Sequence, residues 1–397
     1  MWKRPVWREK RVLPPTRSRI CASGPAFALA QSASAPRTAI DFHVTSGEQR
    51  GVTARSWTLN ALPEIEDFTF DWYQDLLVLA ESCSDRDELT IHLLRCSTGE
   101  PYPLIQQNTL RATLPTVDPL CTVNLHVCGE LLAVEYIYED MFHKIMVWNW
   151  RQGSLLLHLD EEPSQFDGGL ISQGCALLDN RYVLIAASGF KGVSVLAVFD
   201  SCAPHPSERL IFQDALDEHA SLVLSFPRIH GDISEDPIVD VSCQPDSPCA
   251  LPAQLAGVAF RSATPPVVLV EVCTLDTEGA AALYNLLIPG RFILSQLADV
   301  HADESIAAVR QLPWQTYAHE CRMFEITHGP GGSVNGARYV RSVTVAQGNN
   351  PPVTADVVHI YHFGEPGLAC SDEDRDPDQA PSVRRILAPS DASDAKV

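Results

Sequence analysis

The chain has 397 residues, enough for one large domain or two smaller ones. Apolar residues make up 45% and charged residues 20%, a globular balance that excludes a fibrous or wholly disordered chain. The net charge of −21 repels phosphate backbones and argues against nucleic-acid binding, and no apolar run reaches the roughly 20 residues that a membrane helix needs.

Residues 1–39 carry eight basic side chains and one acid, Glu9, a net of +7 that leaves −28 on the rest. This segment is rich in Ala, Ser and Pro and reads as a disordered basic tail. A mitochondrial transit peptide is the alternative, because such peptides are Arg-rich and acid-poor. Pro5, Pro14, Pro15, Pro25 and Pro36 break the amphipathic helix that a transit peptide needs. A wrongly joined exon would also give such a segment.

From residue 40 the pattern is strand-like, with short apolar runs between Gly, Pro, Asp and Asn clusters. Residues 75–81 (DLLVLAE) are echoed 54 residues later by 129–135 (GELLAVE). At the same offset 91–99 (IHLLRCSTG) is echoed by 145–153 (IMVWNWRQG). A looser third echo follows at 181–186 and 193–199, within the apolar stretch 183–199, which reads as a strand pair. Further strand candidates are 222–226, 239–241, 256–260, 267–273, 306–309, 321–326, 339–345 and 357–363. Helical periodicity is sustained nowhere for long; 206–216 and 280–287 could each hold a turn or two. The segment after 364, with Asp372, Glu373, Asp374 and Asp376, reads as a disordered acidic tail over 365–397.

Units that echo at this spacing cannot bury their own apolar faces and must stack on neighbours. The expectation is an all-β fold, a β-propeller of antiparallel sheets over 40–364. At about 45–50 residues per blade the region holds six or seven blades. A pair of β-sandwiches is the competing architecture. The propeller reading requires the strands at 91–99 and 145–153 to lie in neighbouring sheets and not to pair with each other.

No catalytic motif stands out. The twelve cysteines include no CxxC pair, and Cys121/Cys128 and Cys243/Cys249 lack zinc-ligand spacing. Several, such as Cys96, Cys128 and Cys273, fall inside apolar strands as small hydrophobes. With no N-x-Ser/Thr acceptor either, the expectation is an intracellular, cytoplasmic or nuclear protein. His359 and His362 are three apart on a strand and so face opposite ways, against one shared metal ion. The Gly-rich stretch 329–336 lacks the Gly-Lys-Ser/Thr of a phosphate-binding loop and reads as an inter-strand loop. Asp71/Asp75 and Asp85/Asp87/Glu88 could pair carboxylates, although Asp between strands most often shapes turns. Trp148 and Trp150 share a strand face, suited to inter-blade packing more than to stacking a ligand. No cofactor, metal or catalytic residue is expected.

Several segments together resemble a family. Residues 68–81 (FTFDWYQDLLVLAE), 91–104 (IHLLRCSTGEPYPL) and 147–153 (VWNWRQG) resemble recurrent segments of the large F-box proteins of mushroom-forming fungi. So do 312–317 (LPWQTY), 322–324 (RMF) and 336–339 (GARY), in the family's order. The resemblance spans about residues 55–364. It implies a non-enzymatic, propeller-like region that recruits a protein substrate for an SCF-type ubiquitin ligase. Residues 1–54 lack the Leu/Pro-rich helical F-box that would dock a Skp-type adaptor, so an adaptor is expected as partner only if such a module is restored. The acidic body suits a basic patch on a partner. A propeller-type enzyme with a central-channel site is the alternative, and a truncated paralogue without function is a third.

Overall fold

In the computed structural model the chain is all-β, a propeller, with six sheets and three α-helices among the described residues. The structure describes residues 20–23, 26–30, 38–44, 54–81, 88–103, 108–113, 122–138, 142–161, 170–189, 193–203, 209–227, 237–243, 266–275, 281–302, 309–326, 333–335, 338–347, 353–362 and 383–387.

The first sheet is β1 (Ile20–Ser23), β2 (Ala26–Ala30), β3 (Ile40–Val44) and β4 (Arg55–Leu59), in that order. The second is β5 (Ile65–Asp71), β6 (Leu76–Glu81), β7 (Glu88–Arg95) and β8 (Thr109–Thr113). The third runs β9 (Thr122–Cys128), β10 (Leu131–Tyr138), β11 (Phe142–Asn149) and β12 (Ser154–Asp160). The fourth opens with β13 (Leu170–Leu177), β14 (Tyr182–Gly189) and β15 (Val193–Asp200). Next come β16 (Leu210–Ile211), α1 (Phe212–Glu218) and β17 (Leu222–Ser225). The short β16 joins the third sheet parallel to β12, and β17 completes the fourth beside β15.

The fifth sheet is β18 (Ile238–Cys243), β19 (Val267–Leu275), β20 (Ala281–Pro289) and, after an insertion, β22 (Arg322–Ile326). The insertion holds α2 (Gly290–Ala302), β21 (Arg310–Leu312) and α3 (Trp314–Tyr317). β21 pairs in parallel with β17, so the outer edges of the third and fourth sheets each carry an added strand. This covers N–H and C=O rows that would otherwise invite another chain. The sixth sheet is β23 (Ser333–Asn335), β24 (Arg338–Gln347), β25 (Val353–His362) and β26 (Val383–Leu387).

The echo predicted from sequence is the blade repeat. β7 and β11 lie in neighbouring sheets, as a propeller requires, and the third echo is β14 and β15. The repeat reaches the backbone itself. Asp75 and Gly129, 54 apart, both adopt the left-handed region, with φ of 55° and 60°. Gly99 and Gly153 do the same, with φ of 75° and 68°. A non-glycine residue there is strained. At Asp75 the side chain compensates, accepting from the Ser97 N–H at 2.8 Å and the Ser97 hydroxyl at 2.7 Å.

The middle strands bury side chains on both faces, which explains the near-continuous apolar runs in β6, β10 and β14. The even-numbered residues Leu76, Val78 and Ala80 pack with Leu132, Val134, Trp148 and Trp150 between the second and third sheets. The odd-numbered Leu77 and Leu79 face the first sheet, against Phe42 and Ile40. Trp148 and Trp150 are thus inter-blade packing. Trp150 meets Tyr102 edge-on at 5.3 Å, and its indole N–H donates to Gly129 O at 2.8 Å.

Four details differ from the sequence reading. The first sheet begins at Ile20, inside the segment expected to be a tail; Ala26, Ala28 and Ala30 alternate inward, but alanine carries too little apolar signal to show among arginines and prolines. β26 lies inside the expected acidic tail and pairs with β25. Residues 280–287, read as a possible helical turn, fall largely in β20, because pairing with both β19 and β22 outweighs the local preference of a short apolar run. The 13-residue α2 was not anticipated; it buries Ile293 and Leu297 against the fourth and fifth sheets. The candidate strands at 256–260 and 306–308, and Asp85 and Asp87, lie outside the described residues.

Candidate functional site

The first strand of each sheet, β1, β5, β9, β13, β18 and β23, is the inner edge of its blade. An edge strand leaves backbone N–H groups without a ladder partner. In three successive seams a side-chain oxygen from the preceding sheet takes such an N–H. Leu125 N–H, on β9, donates to Asp67 Oδ2 of β5 at 2.9 Å. Ser172 N–H, on β13, donates to Glu161 Oε1, which follows β12. Val239 N–H, on β18, donates to Gln173 Oε1 of β13.

β-Bulges aim two of these acceptors. The pairing of β5 with β6 shifts register between Ile65 and Asp67, and that of β13 with β14 between Ser172 and Gly174. An extra residue turns one side chain out of its own sheet's alternation. Gly174 completes the arrangement: a Cβ there would sit 2.5 Å from Asp240 Oδ1 and 2.9 Å from Val241 N. Only glycine lets β13 and β18 approach this closely.

Around Glu161 the seam between the third and fourth sheets holds a buried polar network. Glu161 also accepts the Ser172 hydroxyl at 2.7 Å and the His143 N–H at 3.0 Å. His143 Nδ1 lies 3.0 Å from Glu135 Oε1, and Asn124 Nδ2 donates to Glu135 Oε2 at 2.8 Å. Burial alone would raise the Glu135 carboxyl. The His143 hydrogen bond and charge, His126 and Asn124 outweigh it and leave the group below its ordinary value. Glu161 goes the other way: burial raises it, and its hydrogen bonds offset only part of that.

The Ser172 hydroxyl is bonded to the Glu161 carboxylate, and the His143 imidazole to that of Glu135. The groups satisfy one another across two sheets and rank as structural staples.

A different arrangement lies on β18, where Ile238 and Asp240 point away from buried Val239 and Val241. Ile238 is 60% exposed, the most exposed large apolar side chain among the described residues. Asp240 sits opposite Glu271 on β19, and Glu271 opposite Asn285 on β20. Among the described residues neither carboxylate is in an ion pair. Burial raises the Asp240 carboxyl, the Glu135 charge adding to it. Burial likewise raises Glu271, with Asp240 the added cause. Like charges directly opposite on one sheet repel.

The carboxylates singled out from sequence have local roles. Asp71 caps the turn at Trp72–Gln74, accepting from Tyr73 N and Gln74 N. Asp75 holds the 97 turn, and Glu88 pairs with Arg111 at 3.3 Å. His359 and His362 both lie on β25. Of the 329–336 stretch, Ser333–Asn335 form β23, and the rest is outside the described residues. Among the described residues no group of His, Cys, Asp or Glu is placed to hold a metal ion, and no helix is long and apolar enough to cross a membrane. Sequence reading missed Asp67, Glu161, Gln173 and Asp240. Asp67, Glu161 and Gln173 each act on a strand of another sheet, and Asp240 faces Glu271 across two strands of its own; no local pattern marks either.

No family model matches the chain, and no curated protein does. Among solved structures it is similar to oligopeptidase B from Leishmania major, at 11% identity and a TM-score of 0.33, over 87% of this chain and 38% of that one. Oligopeptidase B from Trypanosoma brucei with covalently bound antipain is similar at 11% identity and a TM-score of 0.32, over 87% and 39%. The β-propeller domain of the trilobed protease from Pyrococcus furiosus is similar at 10% identity and a TM-score of 0.24, over 67% and 93%. The chain therefore spans about two-fifths of the length of the oligopeptidases it matches.

Proposed function

We propose that this protein is a non-catalytic interaction module whose propeller presents the β18 sector to a basic segment of a protein partner. One observation carries the reading: Asp240 and Glu271 face each other across β18 and β19, both with raised carboxyls and no ion pair among the described residues. A lysine or arginine from a partner would relieve that repulsion, and exposed Ile238 beside it offers apolar contact. The net charge of −21 would steer a basic partner toward the body. The resemblance to fungal F-box proteins fits this role, with the partner as recruited substrate and a Skp-type adaptor bound only through a restored F-box.

The test is binding of Lys/Arg-rich peptides to the full chain, followed by calorimetry. The Asp240→Asn/Glu271→Gln pair of changes should weaken binding about tenfold or more, with melting temperature unchanged or raised. Undiminished affinity in that double variant defeats the proposal. A pull-down probed for a Skp-type adaptor tests the ligase connection separately.

A further inference from the structure

A second surface, at the seam of the first and second sheets, is built around a cation. Arg55, exposed at the start of β4, places its guanidinium carbon 4.9 Å from the Trp57 ring centre and 4.8 Å from that of Trp72. The two indoles are 5.9 Å apart and inclined by 42°, forming a notch with the guanidinium at its mouth. Both rings are anchored. Trp57 stacks on Phe42 at 5.1 Å with 6° between planes, and its N–H donates to Cys96 O at 2.9 Å. The Trp72 backbone N–H donates to Ser23 Oγ at 3.1 Å.

Among the described residues the Arg55 guanidinium donates no hydrogen bond and pairs with no carboxylate; the two rings are its partners. The Trp72 indole N–H, buried in the same notch, also has no acceptor among the described residues. The notch therefore collects donors without acceptors. Stacking holds the guanidinium in place while no described residue takes its N–H edge, the geometry that grips a planar oxyanion through two parallel bonds. The −21 body disfavours a polyanion, so a single short-range contact is what the site suits.

We propose that Arg55, held by Trp57 and Trp72, is an anchor for a carboxylate carried by a peptide or protein partner. This surface is separate from the β18 sector, so either proposal can fail alone.

The experiment uses the full chain labelled with 15N in arginine and tryptophan side chains. The probes are capped tripeptides Ala-Glu-Ala, Ala-Gln-Ala and Ala-phosphoserine-Ala. The Glu peptide should shift the Arg55 Nε–H and Trp72 Nε1–H resonances saturably, while the Gln peptide does not. Arg55→Lys, which keeps the charge but loses the planar fork, should weaken the Glu-peptide effect on Trp72 about tenfold with melting temperature unchanged. Equal response to the Glu and Gln peptides, an unchanged affinity in Arg55→Lys, or response to the phosphopeptide alone each overturns the assignment.

Discussion

The seam between the second and third sheets and the seam between the third and fourth use the same repeat but fill it differently. The first is closed with bulk: Tyr102, Tyr136, Trp148 and Trp150 lie among leucines and valines. The second mixes small side chains such as Ala133, Ala187, Ala197 and Cys175 with Phe199, Phe212 and leucines, and carries the buried Glu135–His143 and Glu161–Ser172 contacts. Both seams gain from area removed from water, and the second depends in addition on polar partners that must all be present.

The largest expected effect tests the bulky seam. Trp150→Ala removes a fully buried indole and its bond to Gly129 O, and should cost about 3–5 kcal/mol in urea unfolding. A cost under about 1 kcal/mol would mean that aromatic filling does not hold these sheets. At the polar seam, Glu135→Ala strands the His143 and Asn124 donors and should cost about 3 kcal/mol. A double-mutant cycle with His143→Ala should then recover much of that loss, because the stranded donor goes with it. Additive losses would show that the two residues act independently.

The turn that opens the third blade's outer half gives a smaller effect. Gly153→Ala meets only Leu110 at 3.9 Å, so its cost is conformational, about 1–2 kcal/mol from the left-handed φ. Asn, which tolerates that region, should cost less than Ala.

Acid behaviour divides the polar seam within itself. Glu135 has a lowered folded-state pKa, so its contribution is complete above the ordinary value of 4.5 and is lost as pH falls below it. Glu161 is raised, so folding gains from its protonation as pH falls from its folded value toward 4.5. His158, lowered to about 4 by burial and then by Lys144 and Arg209, opposes that gain, since only the unfolded chain takes up its proton between 6.5 and 4. Glu135→Gln should flatten the stability profile below pH 4.5, and Glu161→Gln should steepen the fall above it. Matching profiles for the two variants would contradict the opposite signs.

The same contrast explains what could be read in advance. The turn glycines, the apolar strands and the offset of 54 residues follow from chain-local rules: period-2 alternation, left-handed turns, and a unit that cannot cover its own faces. Trp148 and Trp150 were legible as packing for that reason, as were β7 and β11 as neighbours in different sheets. The first sheet's alanine strand and helix α2 were not, since neither carries a strong local signal and both are held by what they pack against.

The frame lies in the chain's own pattern: a run of strand pairs closed by Gly99 and Gly153, apolar on both faces in its middle strands and therefore stacked. Which polar groups matter depends on how the sheets come together. Asp67 answers an N–H 58 residues away, Gln173 one 66 residues away, and Arg55 a ring from the next sheet. These partners are chosen by where the innermost strands and the seams come to lie, and an N–H left open at a strand edge takes whichever acceptor the neighbouring sheet brings within reach.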